Sequence, residues 1–474
     1  MKLIFIILVL LIHKISTNNT PFQYEHLLSA NDPNNYIYFG QSISISGNTL
    51  AVGAGSNFYP DGAKPGRAYI FEQEKSNWNQ KARLFASDGT NGDGFGESIS
   101  ISNDIVVIGA PNANVGNNTY QGKAYVFKKN GTDWNQVAEL IASDGEAEDL
   151  FGYRVFISGK IIAIGSPNSN ISGNSDQGCA YVFNGNEDGT IWNQTQKLIA
   201  SDGEVADYFG EMISISSDSS LIVIGVIGAD VGTNQNQGKT YIFQNNGTYW
   251  NQIQILTASD GQAGENFGST TSISSDSSWM IIGAPSAKVG SNGYQGKAYI
   301  FQNNGNQWNQ FQILTASDGQ AYDLFGYSSS ISIDSYWIVI GAPNTDSQNM
   351  NPQGKVYIFQ KNGNQWDQVQ ILQRKSGDSS LFGLSLLISD SFVMVGSPGS
   401  DSSNGKYTES GNVYLINNTP LSSSSSKTTV IVCSTVIPVV VIVGVILTVF
   451  FIRKRRKRKQ EQNSEEYSKL TQTN

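Results

Sequence analysis

Cysteine and histidine are nearly absent from this chain, and their scarcity excludes much. Of 474 residues, two are Cys and two are His. His13 lies in a leading apolar segment and His26 just beyond it. No pair of histidines therefore stands in the body to build a zinc site or a Ser/His/Asp relay. Cys433 falls in a second apolar run. That leaves Cys179 alone outside the apolar segments and rules out an intramolecular disulfide framework. Charged residues are 15% of the chain and Pro numbers only 12. Stability has to come from packing.

Long apolar runs occur only at the two ends. Met1-Lys2 followed by Leu3–Ile12 and the polar Ser16-Thr17-Asn18 has the charged start, short apolar centre and polar exit of a signal peptide, taken as residues 1–17. Residues 428–452 are 25 positions without a charge, and Pro438 is tolerable within them. At about 1.5 Å per residue this exceeds a hydrocarbon core of about 30 Å. The expectation is one C-terminal transmembrane helix. Seven consecutive basic residues, Arg453 to Lys459, follow it and mark the cytoplasmic side. The reading is a single-pass type I membrane protein, with a Ser-rich linker at 418–427 and a basic tail at 453–474. Setting aside the tail's excess of five positive charges and the leader's two lysines, the overall −9 becomes −16 for the extracellular part. An acidic ectodomain is a poor nucleic-acid binder.

The body is one unit written seven times. Phe-Gly pairs stand at Phe39, Phe95, Phe151, Phe209, Phe267, Phe325 and Phe382, spaced by 56 to 58 residues. After each comes an alternating strand such as Ser42-Ile43-Ser44-Ile45-Ser46, a tight turn, and a strand such as Ile105–Ile108 ending at Gly109-Ala110-Pro111. A loop of about a dozen residues leads to a third strand of the Gln121-Gly122-Lys123-Ala124-Tyr125 type. A fourth starts at Trp78, Trp134, Trp192, Trp250, Trp308 or Trp366. Four-stranded antiparallel units at this period predict an all-β, seven-bladed β-propeller over 19–417, because radial closure leaves only short protected edges. The seventh unit ends at Tyr414-Leu415-Ile416 without a Trp-Asn-Gln strand, and Phe22–Leu28, within the expected strand 21–28, aligns with Asn135–Ile141. The N-terminal strand is therefore expected to close the last blade.

These motifs resemble the FG-GAP repeat of integrin alpha-chain propellers. They are closer still to related repeats written Leu-x-Ala-x-Asp-Gly…Asp-x-Phe-Gly in diverse surface proteins, and the resemblance covers about 21–417. It implies a propeller with a ligand-binding loop face. The Gly-Ala-Pro corner drifts to Gly53-Ala54-Gly55, Gly225-Val226-Ile227 and Gly396-Ser397-Pro398. Integrin propellers carry calcium loops between the Phe-Gly and Gly-Ala-Pro strands. Here those turns are as short as Ser102-Asn103-Asp104 and lack the carboxylates for six to eight oxygen ligands.

Acidic pairs do recur elsewhere, as Asp88 with Asp93, Asp144 with Asp149, Asp202 with Asp207, Asp260 with Glu265, and Asp318 with Asp323. Two readings stand: an inter-blade turn in which Asp bonds backbone amides, or a calcium site completed by carbonyls and water. The repeated Trp residues, with Trp279 and Trp337, read either as blade-to-blade packing or as a sugar-stacking platform. Cys179 replaces the Lys of Gln-Gly-Lys, as a tolerated substitution or as a reactive thiol.

Glycosylation sequons begin at Asn117, Asn130, Asn170, Asn193, Asn246 and Asn417, and a further one at Asn18 abuts the cleavage region. Tyr467 and Leu470 form a Tyr-x-x-apolar motif similar to those read by clathrin adaptors. Loops 54–66, 110–121, 166–177, 226–237, 284–295, 342–353 and 397–410 vary while the strands do not. Topology puts them on one face with the Asp-Gly turns, so ligand contacts are expected near Asn112, Asn114, Asn168, Asp230, Lys288 and Asn344. The sequence reads best as a cell-surface adhesion or recognition protein, with a structural coat glycoprotein as the alternative. An enzyme needs convergent acids, bases or metal ligands that break the repeat, and this reading finds none.

Overall fold

The computed structural model describes residues 21–418 other than 33–36, 56–65, 76, 306, 346–351, 375–379 and 402–409. The expected signal peptide, residues 419–427 of the expected linker, the apolar segment, the basic tail and Tyr467/Leu470 lie outside the described residues; Asn418, expected in the linker, instead ends the strand Asn412–Asn418. Among the described residues no helix is long and apolar enough to cross a membrane.

Residues 22–418 form one compact unit of seven four-stranded antiparallel sheets. In six of them the strands lie in chain order, innermost to outermost. The seventh is completed by the N-terminus: Phe22–Leu28 pairs antiparallel with Asn412–Asn418. The innermost strands Ser42–Ser46 and Ser385–Ile388 adjoin across the seam, so the ring is closed.

The Phe-Gly and Gly-Ala-Pro motifs are two halves of one joint. Each Phe is buried and in the first six blades packs across two aromatics of its own third strand, as Phe95 does across Tyr125 and Phe127 at 5.6 and 6.0 Å, whereas Phe382 meets Tyr414 and the closing strand's Tyr24. The Gly after it has φ near +90°, a region that L side chains rarely adopt. Its carbonyl presses on the corner Gly of the preceding blade. A Cβ on Gly109, Gly225 or Gly283 would lie 2.0, 1.9 or 1.9 Å from the carbonyl oxygen of Gly152, Gly268 or Gly326. The same contact joins Gly396 to Gly40 across the seam. Glycine at both motifs is thus a requirement of the spacing between blades.

Polar side chains complete the joint. Inner-strand serines accept the amides of the next blade, as Ser98 Oγ does from Val155 N and Ser100 Oγ from Ile157 N. This satisfies backbone groups that a sheet edge would leave bare and explains the Ser-Ile-Ser-Ile alternation. At the rim, Gln196, Gln254 and Gln312 clamp the backbone of Trp250, Trp308 and Trp366 through both amide atoms. Gln370 does the same to Phe22. The Trp side chains are buried between blades, Trp134 for instance among Ala51, Ala68 and Ile70 of the preceding blade. Packing, rather than an open stacking platform, is their place.

Candidate functional site

The Asp-Gly aspartates bind the following blade. Asp88 accepts Lys123 Nζ at 2.5 Å and Tyr125 OH at 2.8 Å. Asp202, Asp260 and Asp318 do the same with Lys239/Tyr241, Lys297/Tyr299 and Lys355/Tyr357. Partial burial pushes these carboxyls up, but the ammonium and hydroxyl donors outweigh it and hold each below the ordinary range. Asp144 takes Tyr181 OH and, in place of a third-strand Lys, Lys197.

The second carboxylate of each pair closes its own turn. Asp93, Asp149, Asp207, Glu265 and Asp323 accept the amides of Thr90, Glu146, Glu204, Gln262 and Gln320. Burial raises Asp149 and Asp207. The two carboxylates of a pair thus have different hydrogen-bond partners, although Lys297 Nζ also lies 3.7 Å from Glu265, and a cation at the first would have to displace an ammonium. Among the described residues no group of three or more His, Cys, Asp or Glu is placed to hold a metal. Cys179 is fully buried, which pushes its thiol up to about 11. A buried thiol at that value carries almost no thiolate at neutral pH.

Four of the loops read as variable share one geometry. Val115, Ile171, Val231 and Val289 bridge to Asn118, Asn174, Asn234 and Asn292. Each of these Asn side chains donates both to the Gln three residues on and to the carbonyl of the next Asp-Gly turn, as Asn118 does to Gln121 and Gly145. The repeated Asn-x-x-Gln-Gly spacing carries this staple. The other three loops lie partly outside the described residues.

Several of the expected contact residues are therefore loop-builders. Asn114 and Asp230 accept the amides of Tyr120 and Asn236. Asn112 donates to Gly92 O, and Asn344 to Tyr322 O. Lys288 offers its amide to Glu265. Asn168 lines a cavity of about 630 Å³ with Asn112, Asn114, Tyr120 and Glu148. Of the sequon residues, Asn117, Asn130, Asn170, Asn193 and Asn246 are exposed, whereas Asn417 is half-buried in a strand paired on both sides.

The surface that does vary is a set of paired positions. Tyr120 and Glu148 both have positive φ, as do Asp176 with Ala206, Asn236 with Gly264, and Tyr294 with Tyr322. Tyr294 and Tyr322 stack with centroids 5.3 Å apart and planes 9° apart, each about half exposed.

Another non-repeating set lines the axis. The residue after each Phe-Gly is Gln41, Glu97, Tyr153, Glu211, Ser269, Tyr327 or Leu384, and a cavity of about 710 Å³ opens among most of them.

The chain belongs to the FG-GAP repeat family: residues 23–71, 78–127, 134–183, 192–243, 250–301 and 308–359 match that repeat. The seventh copy falls outside the match, and it lacks the third-strand Lys, carrying Asn412 there. No curated protein matches the chain. Among solved structures it is similar to the periplasmic gluconolactonase PpgL of Pseudomonas aeruginosa, at 13% identity and a TM-score of 0.46, over 70% of this chain and 85% of that one.

Proposed function

We propose that this protein is a cell-surface recognition or adhesion glycoprotein without enzymatic activity on its loop face. Residues 428–452 anchor it as a type I membrane protein, with the propeller outside and the basic tail inside. The loop face takes a protein or glycan ligand, and Tyr467 and Leu470 engage a clathrin adaptor.

One observation carries the ligand-binding reading. On a scaffold whose joints, clamps and staples are rewritten blade after blade, the paired left-handed positions carry Tyr with Glu, Asp with Ala, Asn with Gly, and Tyr with Tyr. Left-handed φ at a bulky residue costs about 1–3 kcal/mol, and two blades place Gly at the second of these positions, as Gly92 and Gly264. Retaining Tyr294 and Tyr322 despite that cost, exposed and stacked, fits a contact surface, since aromatics dominate binding hot spots.

The test is binding of the full-length protein to glycan and cell-surface arrays, with calcium and with chelator. Saturable binding lost on Tyr294→Ser or Tyr322→Gly supports the reading. Absence of binding by the folded protein leaves the coat glycoprotein.

A further inference from the structure

The axial cavity is built from the first residues of the innermost strands, at the end that leads out to the loop face. Its walls are unequal. The second and third blades contribute Glu97, Tyr153 and Arg154, while Glu211 of the fourth meets Arg154 through its backbone carbonyl and is not part of the lining. Arg154 Nε donates to the Glu211 carbonyl at 3.2 Å, and its guanidinium lies 5.9 Å from the Tyr153 ring centroid. Tyr153 is the common neighbour, sensing Arg154, Glu211, Glu97 and Tyr327 electrostatically. Burial raises its hydroxyl to about 12 and lifts the Glu211 carboxyl above the ordinary range, with Arg154 opposing the latter. The seventh blade answers with Leu381, Leu384, Leu386 and Pro398.

Ring closure explains the small inner serines and the glycines, but not this asymmetry. The seven joints need nothing of the residue after Phe-Gly, which is Ser269 in one blade and Leu384 in another. A carboxylate, an arginine and tyrosines set among Ile99, Met212, Ile213 and the leucines of the seventh blade form an amphipathic container. Ligand cavities run from about 300 to 1,000 Å³, mostly apolar with a few convergent polar groups, and this one falls in that range.

We propose that the axial cavity binds a small saccharide of one or two rings, neutral or amine-bearing. The Glu97 carboxylate accepts from, and the Arg154 guanidinium donates to, the vicinal hydroxyls along one edge of a sugar. The tyrosine rings and the leucine wall receive its C–H faces. One guanidinium set against the Glu97 carboxylate offers phosphates and uronic acids no net positive charge.

The experiment is calorimetric titration of the purified full-length protein with glucose, galactose, glucosamine, N-acetylglucosamine, cellobiose and chitobiose. Glucuronate, glucose 6-phosphate and leucine serve as controls. At least one saccharide is expected to saturate one site per chain, with the anionic sugars weaker by about tenfold or more. Glu97→Gln and Tyr327→Ala each weaken it by about tenfold without moving the melting temperature, Tyr327 being partly exposed. Tyr322→Gly on the loop face leaves it unchanged, so the failure of one reading does not carry the other with it. The proposal is overturned by no saccharide binding up to roughly 10 mM, by tighter binding of leucine or an anionic sugar, or by affinity indifferent to Glu97→Gln, Tyr327→Ala and Arg154→Met.

Discussion

Lys197 Nζ lies 2.8 Å from Asp144 Oδ2, reaching from the outermost strand of its blade the carboxylate that third-strand lysines hold elsewhere. The third-strand position is Cys179, and Lys197 sits opposite Tyr181 in register, 5.2 Å above its ring. One blade earlier the arrangement is inverted: Lys123 is present and Glu139 occupies the place of Lys197, pairing with Lys123 at 2.8 Å. The ammonium has moved between adjacent strands while the inter-blade bond has stayed. Lys197→Ile is expected to cost about 1 kcal/mol, read as a lowered denaturation midpoint, and Cys179→Lys in the same chain to restore it. Failure of the second change to rescue the first would show that the bond is incidental.

Acid sensitivity follows from the same bonds. Asp88, Asp144, Asp202, Asp260 and Asp318 titrate below their ordinary value, because the donors outweigh burial. The unfolded chain therefore takes up their protons first as pH falls. Their contribution is complete above the ordinary carboxylate range and is lost as pH falls through the depressed values, below about pH 4. Asp149, Asp207 and Glu211 act in the opposite sense, their ionisation being disfavoured by burial and relieved in acid. Denaturation midpoints should fall from pH 5 to pH 3, and the fall should shrink in Asp202→Asn.

The joints of the ring were legible in the sequence because each needs a residue type that nothing else supplies. Phe-Gly, Gly-Ala-Pro and Trp-Asn-Gln recur for that reason, and so the blade count, the strand order and the seam were all readable. What lay hidden was pairing across blades. Asp32 holds Arg67 and Arg83 and so ties the closing segment to the first blade, yet it is followed by Pro33 in place of the Gly that marks its counterparts. Asn118 reads as one asparagine among many until its bonds to Gln121 and Gly145 are seen. The axial residues escape for a different reason, since they neither recur nor form a motif and only ring closure brings them together.

Gly283→Ala is expected to prevent folding or to shift the two blades apart, because its Cβ would sit 1.9 Å from the Gly326 carbonyl oxygen, and backbone cannot yield as a flexible side chain does. Gly293→Ala is the control, with nothing within 4 Å of its Cβ. Soluble yield and thermal melting of the two variants decide the point. Equal behaviour would refute the claim that blade spacing rests on glycine.

Closure by the N-terminal strand makes the first residues of the ring indispensable. Phe22 is buried, edge-on to Trp337 at 5.1 Å, and clamped by Gln370 as the Trp residues are by their glutamines. Phe22→Ala removes the ring from a packed seam and should cost about 3–5 kcal/mol, whereas Phe22→Trp keeps the clamp and should be far milder. Removing residues 22–28 exposes the edge of Asn412–Asn418, and bare edges invite pairing with other chains. The truncated protein is expected to aggregate, which size-exclusion chromatography would reveal.

Tyr322→Gly separates stability from binding on the loop face. The backbone there is left-handed at φ +71°, and Gly92 and Gly264 hold the same place in their blades with φ of +88° and +74°. Glycine relieves the strain of a tyrosine in that region but loosens the unfolded chain by about 0.4–1 kcal/mol, and the Tyr side chain, 57% exposed, forfeits little burial. The melting temperature should therefore hold or rise slightly, while the stack with Tyr294 disappears and loop-face binding falls by at least about tenfold. Because the substitution leaves the fold intact, lost binding is attributable to the surface itself. A variant that melts lower and binds as before would show that Tyr322 serves the turn instead of a ligand.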